Sequence, residues 1–229
     1  MKSGVKTIKP IAFIKTDFKE KFGIPRQSGR AKNLVGEIVF EKPFRNPDAL
    51  REMEGFSHFW LVFDFSLAHT ENFSPTVRPP RLGGNKKVGV FASRSPFRPN
   101  GLGLSLVKLE EIKQTENDGI VLVVSGVDLL DNTPIYDIKP YVPMCDCVEN
   151  AKGGYTDETR HHQLKVVFPE NLLNLLPKEK QTAAVQCLSE DPRPSYQEDG
   201  RLYTMSYAGF DLTFTVSGDT LTVSDVKIL

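Results

Sequence analysis

Apolar and polar positions alternate along most of the first 140 residues, and a period of two predicts strands. "IKPIAFIKT" and "LVGEIVFEK" both carry it. In "FSHFWLVFDFSL" one face reads Phe59, Leu61, Phe63, Phe65 and Leu67, and the other Phe56, His58, Trp60, Val62 and Asp64. Both faces are largely apolar, which predicts a buried strand. "KVGVFA", "LGLSLVKLEEI" and "GIVLVVSGVDLL" add further strands. The last ends in the turn Asp131-Asn132-Thr133-Pro134 and resumes as "IYDIKPYV". Between the first two strands, "FKEKFGIPRQSGRAKN" reads as a loop broken by Gly23, Pro25, Ser28 and Gly29. One short helix interrupts the series, "NPDALREMEG", with Asn46 as N-cap, Pro47 at its first position, Asp48 at its positive end and Gly55 closing it. Many strands and a single helix predict a mainly β fold, a closed or nearly closed β-barrel. The strand-helix alternation of a doubly wound sheet is missing.

The pattern changes after Pro143. "MCDCVENAKGGYTDETRHH" is polar and glycine-bearing and reads as a linker. A short strand around "HQLKVVF" follows, then a helix from Pro169 and another over 178–188, which Asp191-Pro192 stops. Two hairpin-like strands finish the chain: Phe210, Leu212, Phe214 and Val216 alternate, and Ser217-Gly218-Asp219 turns into "TLTVSDVKI". The expected organisation is a β-barrel domain over 1–145, a linker over 146–158 and a small α+β domain over 159–229.

Composition narrows the class. The chain has 229 residues, of which 39% are hydrophobic and 25% charged, an ordinary soluble balance. Lys plus Arg equals Asp plus Glu at 29 each, so bulk charge does not argue for nucleic acid. No apolar run approaches the ~20 residues that span a bilayer. "MKSGVKTIKPIAF" lacks a signal-peptide core, so the expected location is the cytoplasm. Three cysteines, Cys145, Cys147 and Cys187, argue against a disulfide framework and predict reduced thiols. His58, His69, His161 and His162 fall in no metal-ligand spacing, and no metal is expected. There is no internal repeat.

Charge is uneven along the chain. Residues 72–109 hold no Asp or Glu, yet contain Arg78, Arg81, Lys86, Lys87, Arg94, Arg98 and Lys108. This local basic field predicts an anionic partner at one face. Within it, "VFASRSPFRPNGLGLS" holds Arg94 and Arg98 between prolines, with Asn100 and two glycines after them. Proline fixes the backbone, and small residues let a ligand approach it. "VRPPRLGGN" repeats the recipe with Arg78 and Arg81. Gly101-x-Gly103 is no dinucleotide fingerprint, because it opens a strand and lacks the third glycine. Asp128 ends a very apolar strand and suits a ribose or an amine. Asp131 with Thr133 suits an Asx-type turn. Arg193 sits between two prolines with Tyr196 close behind, a held guanidinium beside a stacking ring.

"KFGIPRQSG", "GFSHFWLVF", "VRPPRLGGN", "VGVFASRSPFRPNGLGLS", "DLLDNTPIYDIKPY" and "EDPRPSY" occur in this order and together resemble the TrmO (TsaA-like, YaeB-like) family, from about residue 8 to the end. The resemblance implies an S-adenosylmethionine-dependent tRNA methyltransferase with a β-barrel cofactor domain, working as a homodimer. Its implied target is the exocyclic nitrogen of threonylcarbamoyladenosine beside the anticodon of threonine tRNA. Carried over by motif, Pro25-Arg26-Gln27, His58-Phe59, Arg94 and Leu104 contact the cofactor, and Asp128-Leu129-Leu130-Asp131 closes over it. Gly101 and Asn132 depart from the family pattern. His58, Asp128 and Asp137 are candidate proton acceptors, and a mechanism of positioning alone stays open. Arg78, Arg81, Arg98, Asn100, Asp191, Arg193 and Tyr196 are the residues expected to meet tRNA. Two other readings remain: a non-catalytic RNA-binding module, and a methyltransferase of this fold with a different acceptor.

Overall fold

A computed structural model describes residues 7–69, 72–79, 82, 86–158, 163–193 and 199–229. The N-terminal strands are β1 (Ala12–Thr16), β2 (Val35–Phe40), β3 (His58–Asp64), β4 (Thr76–Val77), β5 (Val88–Gly89), β6 (Leu102–Thr115), β7 (Gly119–Ser125) and β8 (Thr133–Pro140). Six of them close a barrel in the order β1-β2-β7-β6-β3-β8, with β8 pairing back onto β1. Every pairing in it is antiparallel. Closure satisfies the backbone groups that an open sheet would leave at its edges. β4 and β5 form a separate two-stranded ribbon.

The alternation works as expected in β3. Phe59, Leu61 and Phe63 are buried in the core, while His58, Trp60, Val62 and Asp64 are only half-buried on the outer face. Gly103, opposite Phe63 on β6, leaves room for that ring.

The C-terminal part contains the single-turn helices α1 (Pro143–Asp146) and α2 (Tyr155–Glu158), then β9 (Lys165–Val167), α3 (Glu170–Leu173), α4 (Lys178–Ser189), β10 (Tyr203–Tyr207), β11 (Phe210–Ser217) and β12 (Thr220–Ile228). Its sheet runs β10-β11-β12-β9, with β9 parallel to β12. α4 buries Ala183, Ala184, Cys187 and Leu188. This core is continuous with that of the barrel. At the junction the Phe18 and Tyr207 rings lie 5.3 Å apart, Lys180 pairs with Asp17 at 2.6 Å, and Ala208 N donates to Asp17 O at 3.1 Å.

Three expectations need correction. "NPDALREMEG" is not one α-helix but two 3-10 turns, Pro47–Leu50 and Met53–Gly55. Asn46 does cap the first, accepting from Asp48 N at 3.0 Å, but Glu52 has φ 64°, and a left-handed residue ends any helix. "KVGVFA" gives a strand of two residues and then a 3-10 turn, Val90–Ala92. The C-terminal sheet has β10, which the sequence reading passed over, although Tyr203, Met205 and Tyr207 alternate inward there.

Gly103→Ala tests the barrel packing. Its Cβ would collide with the tip of the Phe63 ring, a residue only 5% exposed and hemmed in. Urea denaturation should show a loss of about 1–3 kcal/mol, the usual range for overpacking. The double variant Gly103→Ala/Phe63→Leu should recover part of it.

Candidate functional site

The site begins with unequal strand lengths. β6 has 14 residues and β7 has 7. Their pairing starts at Thr115↔Gly119 and ends at Lys108↔Ser125. On its other side β6 stays paired to β3 from Lys108 to Leu102. Between Leu102 and Val107 one edge of β6 is therefore open, because the chain after β7 turns away at Gly126, which has φ 74°.

Residues 25–34 fold into this gap. Ser28 Oγ accepts from Leu106 N at 3.1 Å. Gly29 N donates to Gly126 O at 2.8 Å, and Gly126 N donates to Leu34 O at 2.9 Å. A Cβ on Gly126 would stand 3.4 Å from the backbone of Gly29, so the two segments nearly touch. Residue 106 directs its amide to the open edge. By strand alternation, Leu104 directs its amide and carbonyl there too, and no described residue pairs with them. The Leu104 side chain is 52% exposed on the outer face.

Asp128 lies just past the end of β7, opposite Ser105. Ser105 is 1% exposed and donates its hydroxyl to Asp128 Oδ1 at 2.5 Å. Burial pushes the Asp128 carboxyl up to about 6. The Ser105 hydroxyl, the amides of Asp128 and Ser28, and the Arg94 charge pull it back down. Arg94 is exposed and uses Nη1 on Gln27 Oε1 at 2.6 Å. Thus Gln27, Ser28, Arg94, Leu104, Ser105 and Asp128 converge. Sequence reading had placed four of them in one pocket and missed Ser28 and Ser105, whose small hydroxyl side chains give no pattern in a loop or a strand.

The remaining candidates spread around this centre. Pro25 is buried, and Arg26 Nη2 donates to Arg193 O at 2.9 Å. Leu129 is buried, and its carbonyl accepts from Thr16 Oγ1 at 3.2 Å, while Leu130 O accepts from Thr133 Oγ1 at 2.7 Å. The Asp131 carboxylate does not form the expected turn with Thr133. It takes Thr16 N at 2.9 Å and Lys19 at 2.6 Å, pinning the segment to the barrel. Phe59 points into the core. His58 meets Ser57 Oγ through Nδ1 at 2.9 Å, near the Tyr141 ring, opposite Lys108. Asp137 is paired with Lys139 at 2.9 Å and half-exposed. No hydrogen bond joins His58, Asp128 and Asp137 to one another.

The arginine loop is as stiff as its prolines suggest, with added reasons. Ser93 Oγ donates to Val90 O at 2.8 Å, and Ser95 N and Phe97 N donate to the preceding serine hydroxyls. Arg98 turns inward and donates Nη1 to Ser93 O at 3.0 Å and Ser95 O at 3.3 Å. It braces the loop instead of projecting from it. Phe91 and Phe97, which the sequence reading passed over, are 76% and 51% exposed on the same loop. Arg78 and Asn100 are exposed. Arg193 has its fork filled by Asp191 at 2.9 and 3.1 Å and by Asp199 at 3.2 Å, with the side chain 11% exposed. Asp191 and Arg193 thus face each other, not solvent. Arg81 and Tyr196 lie outside the described residues.

The C-terminal module grips the loop of this site from behind. Arg30 pairs with Glu190 at 2.7 Å, and Glu190 is 4% exposed and also accepts from Gln163 at 2.8 Å. Asn33 and Gln186 exchange two bonds, at 2.9 and 2.8 Å. A cavity of about 380 Å³ lies at this junction, with Phe22, Pro25, Arg26, Cys187 and Asp191 on its wall. It does not include Arg94, Leu104 or Asp128, so the convergent polar groups lie elsewhere. Among the described residues no three His, Cys, Asp or Glu side chains gather for a metal.

Comparison with known proteins covers the whole arrangement. The family model described as the tRNA-methyltransferase O N-terminal domain matches residues 13–147, and the one described as the TrmO C-terminal domain matches residues 161–228. The tRNA (adenine(37)-N6)-methyltransferase of Escherichia coli K12 is 38% identical, over 90% of this chain and 92% of its own length. That of Eikenella corrodens is 44% identical, over 70% of this chain and 91% of its own. A Pseudomonas aeruginosa relative, whose name assigns it to the S-adenosylmethionine-dependent methyltransferases, is 41% identical over 86% of this chain and 87% of its own. A crystal structure of TrmO from Pseudomonas aeruginosa superposes with TM-score 0.77 at 34% identity, covering 98% of this chain and all of that one (100%).

The perturbed carboxyl gives a stability test. In the folded protein Asp128 titrates near 6, above its ordinary 3.8. A raised carboxyl contributes stability that is fully present below the unfolded value and is lost as pH rises through the folded one. Between about pH 4 and 7 the wild type should therefore lose on the order of 2 kcal/mol relative to Asp128→Asn. Urea denaturation of both proteins across that range measures the difference. A flat difference would show that Asp128 titrates normally.

Proposed function

The chain belongs to the tRNA-methyltransferase O family, and from that premise we propose that it is an S-adenosylmethionine-dependent tRNA methyltransferase whose acceptor is the exocyclic nitrogen of threonylcarbamoyladenosine beside the anticodon of threonine tRNA. One observation carries the reading. The opened edge of β6 brings a backbone donor-acceptor pair, a guanidinium and a carboxylate together at the foot of a rigid basic loop.

The donor set suits the cofactor. Bound there, adenosylmethionine supplies an electrophilic methyl on a sulfonium. Arg94, with one N–H spent on Gln27, keeps donors for a carboxylate. Asp128 offers an acceptor for ribose hydroxyls or an ammonium. The amide and carbonyl of Leu104 match the donor and acceptor on an adenine edge. Ser105 and Ser28 hold the Asp128 carboxylate in place, so its orientation is fixed before anything binds.

For the RNA, residues 72–109 supply positive charge without a single carboxylate. Exposed Phe91 and Phe97 suit unstacked bases of the anticodon loop, where specific RNA reading usually occurs. The C-terminal α+β domain over 159–229 helps to hold the anticodon arm. There Arg193 is tied to Asp191 and Asp199 and does not itself meet phosphate. Exposed Leu102 and Leu104 on the outer face of the barrel suit the interface of a homodimer. The proposed location is the cytoplasm.

Transfer of tritium from labelled adenosylmethionine into bulk tRNA, taken from a host lacking this activity, tests the reading. Label should appear in methylated threonylcarbamoyladenosine after digestion to nucleosides. Label in another nucleoside would replace the acceptor, and none at all would leave an RNA-binding module.

Three arginine variants separate binding from bracing. Arg94→Ala should weaken adenosylhomocysteine binding by calorimetry, on the order of tenfold or more, as loss of a charge-assisted hydrogen bond does. Arg78→Ala should reduce the log–log salt slope of tRNA binding by about 0.9, one phosphate contact. Arg98→Ala should lower tRNA affinity with its slope unchanged, since Arg98 holds carbonyls of its own loop. Filter binding across salt distinguishes the last two.

A further inference from the structure

A second cluster lies on the outer face of the barrel, between the arginine loop and the open edge of β6. Asp64 ends β3 and pairs across strands with Leu102. Both of its oxygens meet Nε2 of His69, at 2.9 and 3.0 Å. The carboxylate is 11% exposed and the imidazole 57%. The ring rests on Gly101, where a Cβ would come within 2.9 Å of Cε1 and 3.2 Å of Nδ1. The backbone beneath is tied down, with Phe65 N donating to Gly101 O at 2.7 Å and Ala68 N donating to Phe65 O at 2.8 Å.

This arrangement fixes a proton. With Nε2–H given to Asp64, the imidazole is the tautomer whose Nδ1 carries a lone pair able to take a proton. Among the described residues, Tyr136 of β8 also feels the Asp64 charge. Burial and, after it, the Asp64 charge raise the Tyr136 phenol, so it stays neutral. Along β6, Leu104 lies two residues beyond Leu102 on the same face, ~7 Å away at strand spacing.

The rival acceptors are otherwise engaged. His58 spends Nδ1 on Ser57 at the opposite end of β3, Asp137 is paired with Lys139, and Asp128 is held by Ser105 and two amides.

Resting on the reading that this chain methylates an exocyclic nitrogen of tRNA, we propose that His69, oriented by Asp64 and seated against Gly101, is the proton acceptor of the transfer. The nitrogen's N–H proton passes to Nδ1 of His69. The electron pair left on nitrogen forms the bond to the methyl. The pair of the methyl–sulfur bond stays on sulfur, which leaves as a neutral thioether. Gly101 gives the ring its present seat, because a Cβ there would come within 2.9 Å of Cε1 and the ring would have to shift.

Single-turnover transfer at saturating adenosylmethionine tests this across pH 5.5 to 9. His69→Ala and His69→Gln should slow transfer by about 100-fold, the lower range for a lost general base, and abolish the rise of rate with pH that the wild type shows. Dissociation constants for adenosylhomocysteine and tRNA should stay within about twofold of wild type. Gly101→Ala should lose rate likewise with both affinities intact. A readout independent of turnover is the nitrogen-15 spectrum of the imidazole: the Nε2–H tautomer should dominate in the wild type and mix with the other in Asp64→Asn. His69 variants within threefold of an active wild type would overturn the proposal alone. So would a rate loss explained wholly by tRNA affinity, or a tautomer ratio unmoved by Asp64→Asn. A wild type that transfers no methyl to tRNA would overturn the underlying reading, and this proposal with it.

Discussion

The close approach of Gly29 to Gly126 governs this molecule. Two backbone hydrogen bonds, Gly29 N to Gly126 O and Gly126 N to Leu34 O, and a third from Leu106 N to the Ser28 hydroxyl stitch the long first loop into the seam where β6 and β7 part. Without them the amides and carbonyls along the upper half of β6 would face water unpaired, and Asp128 would lose the Ser28 amide. The stitch seals the barrel while leaving Leu104 unpaired in the one place where a ligand could complete the ladder. The C-terminal module holds the far side of the same loop through Glu190, a nearly buried charge that takes bonds from Arg30 and Gln163. Breaking a buried pair of this kind leaves an uncompensated ion, so the two modules are committed to each other.

The arginine loop shows how a neutral protein makes a local field. Its charges are not set on free side chains. Serine hydroxyls, prolines and the inward-turned Arg98 fix the backbone first, and Arg94 and the exposed phenylalanines are then presented from a rigid support. Ordering entropy is met during folding instead of at binding.

Much of this was legible in the chain because its signals are periodic. The barrel followed from alternation, and β3 showed its inner face residue by residue. Arg94, Gln27, Leu104 and Asp128 could be grouped from motifs, and the structure brings them together. What escaped had no period to betray it. Ser28 and Ser105 are small polar residues that matter only for what lies opposite. Asp64 and His69 are five apart across a turn, a spacing that neither helix nor strand brings together, and only Gly101 hints at the ring that needs its space. Glu52 looked like an ordinary helical residue, yet its left-handed backbone split the expected helix in two. Arg193 read as a held guanidinium turned toward RNA, and nothing in its local sequence showed that Asp191 and Asp199 fill its fork.

The central claim is that the parted seam of β6 and β7, not the cavity beside Pro25, receives the nucleoside cofactor. Hydrogen exchange with and without adenosylhomocysteine tests it most directly. The account predicts slowed exchange at the Leu104 amide and across 126–131, with the amides of β10 to β12 unchanged. Protection confined to 21–26 and 187–192, with Leu104 unaffected, would contradict it.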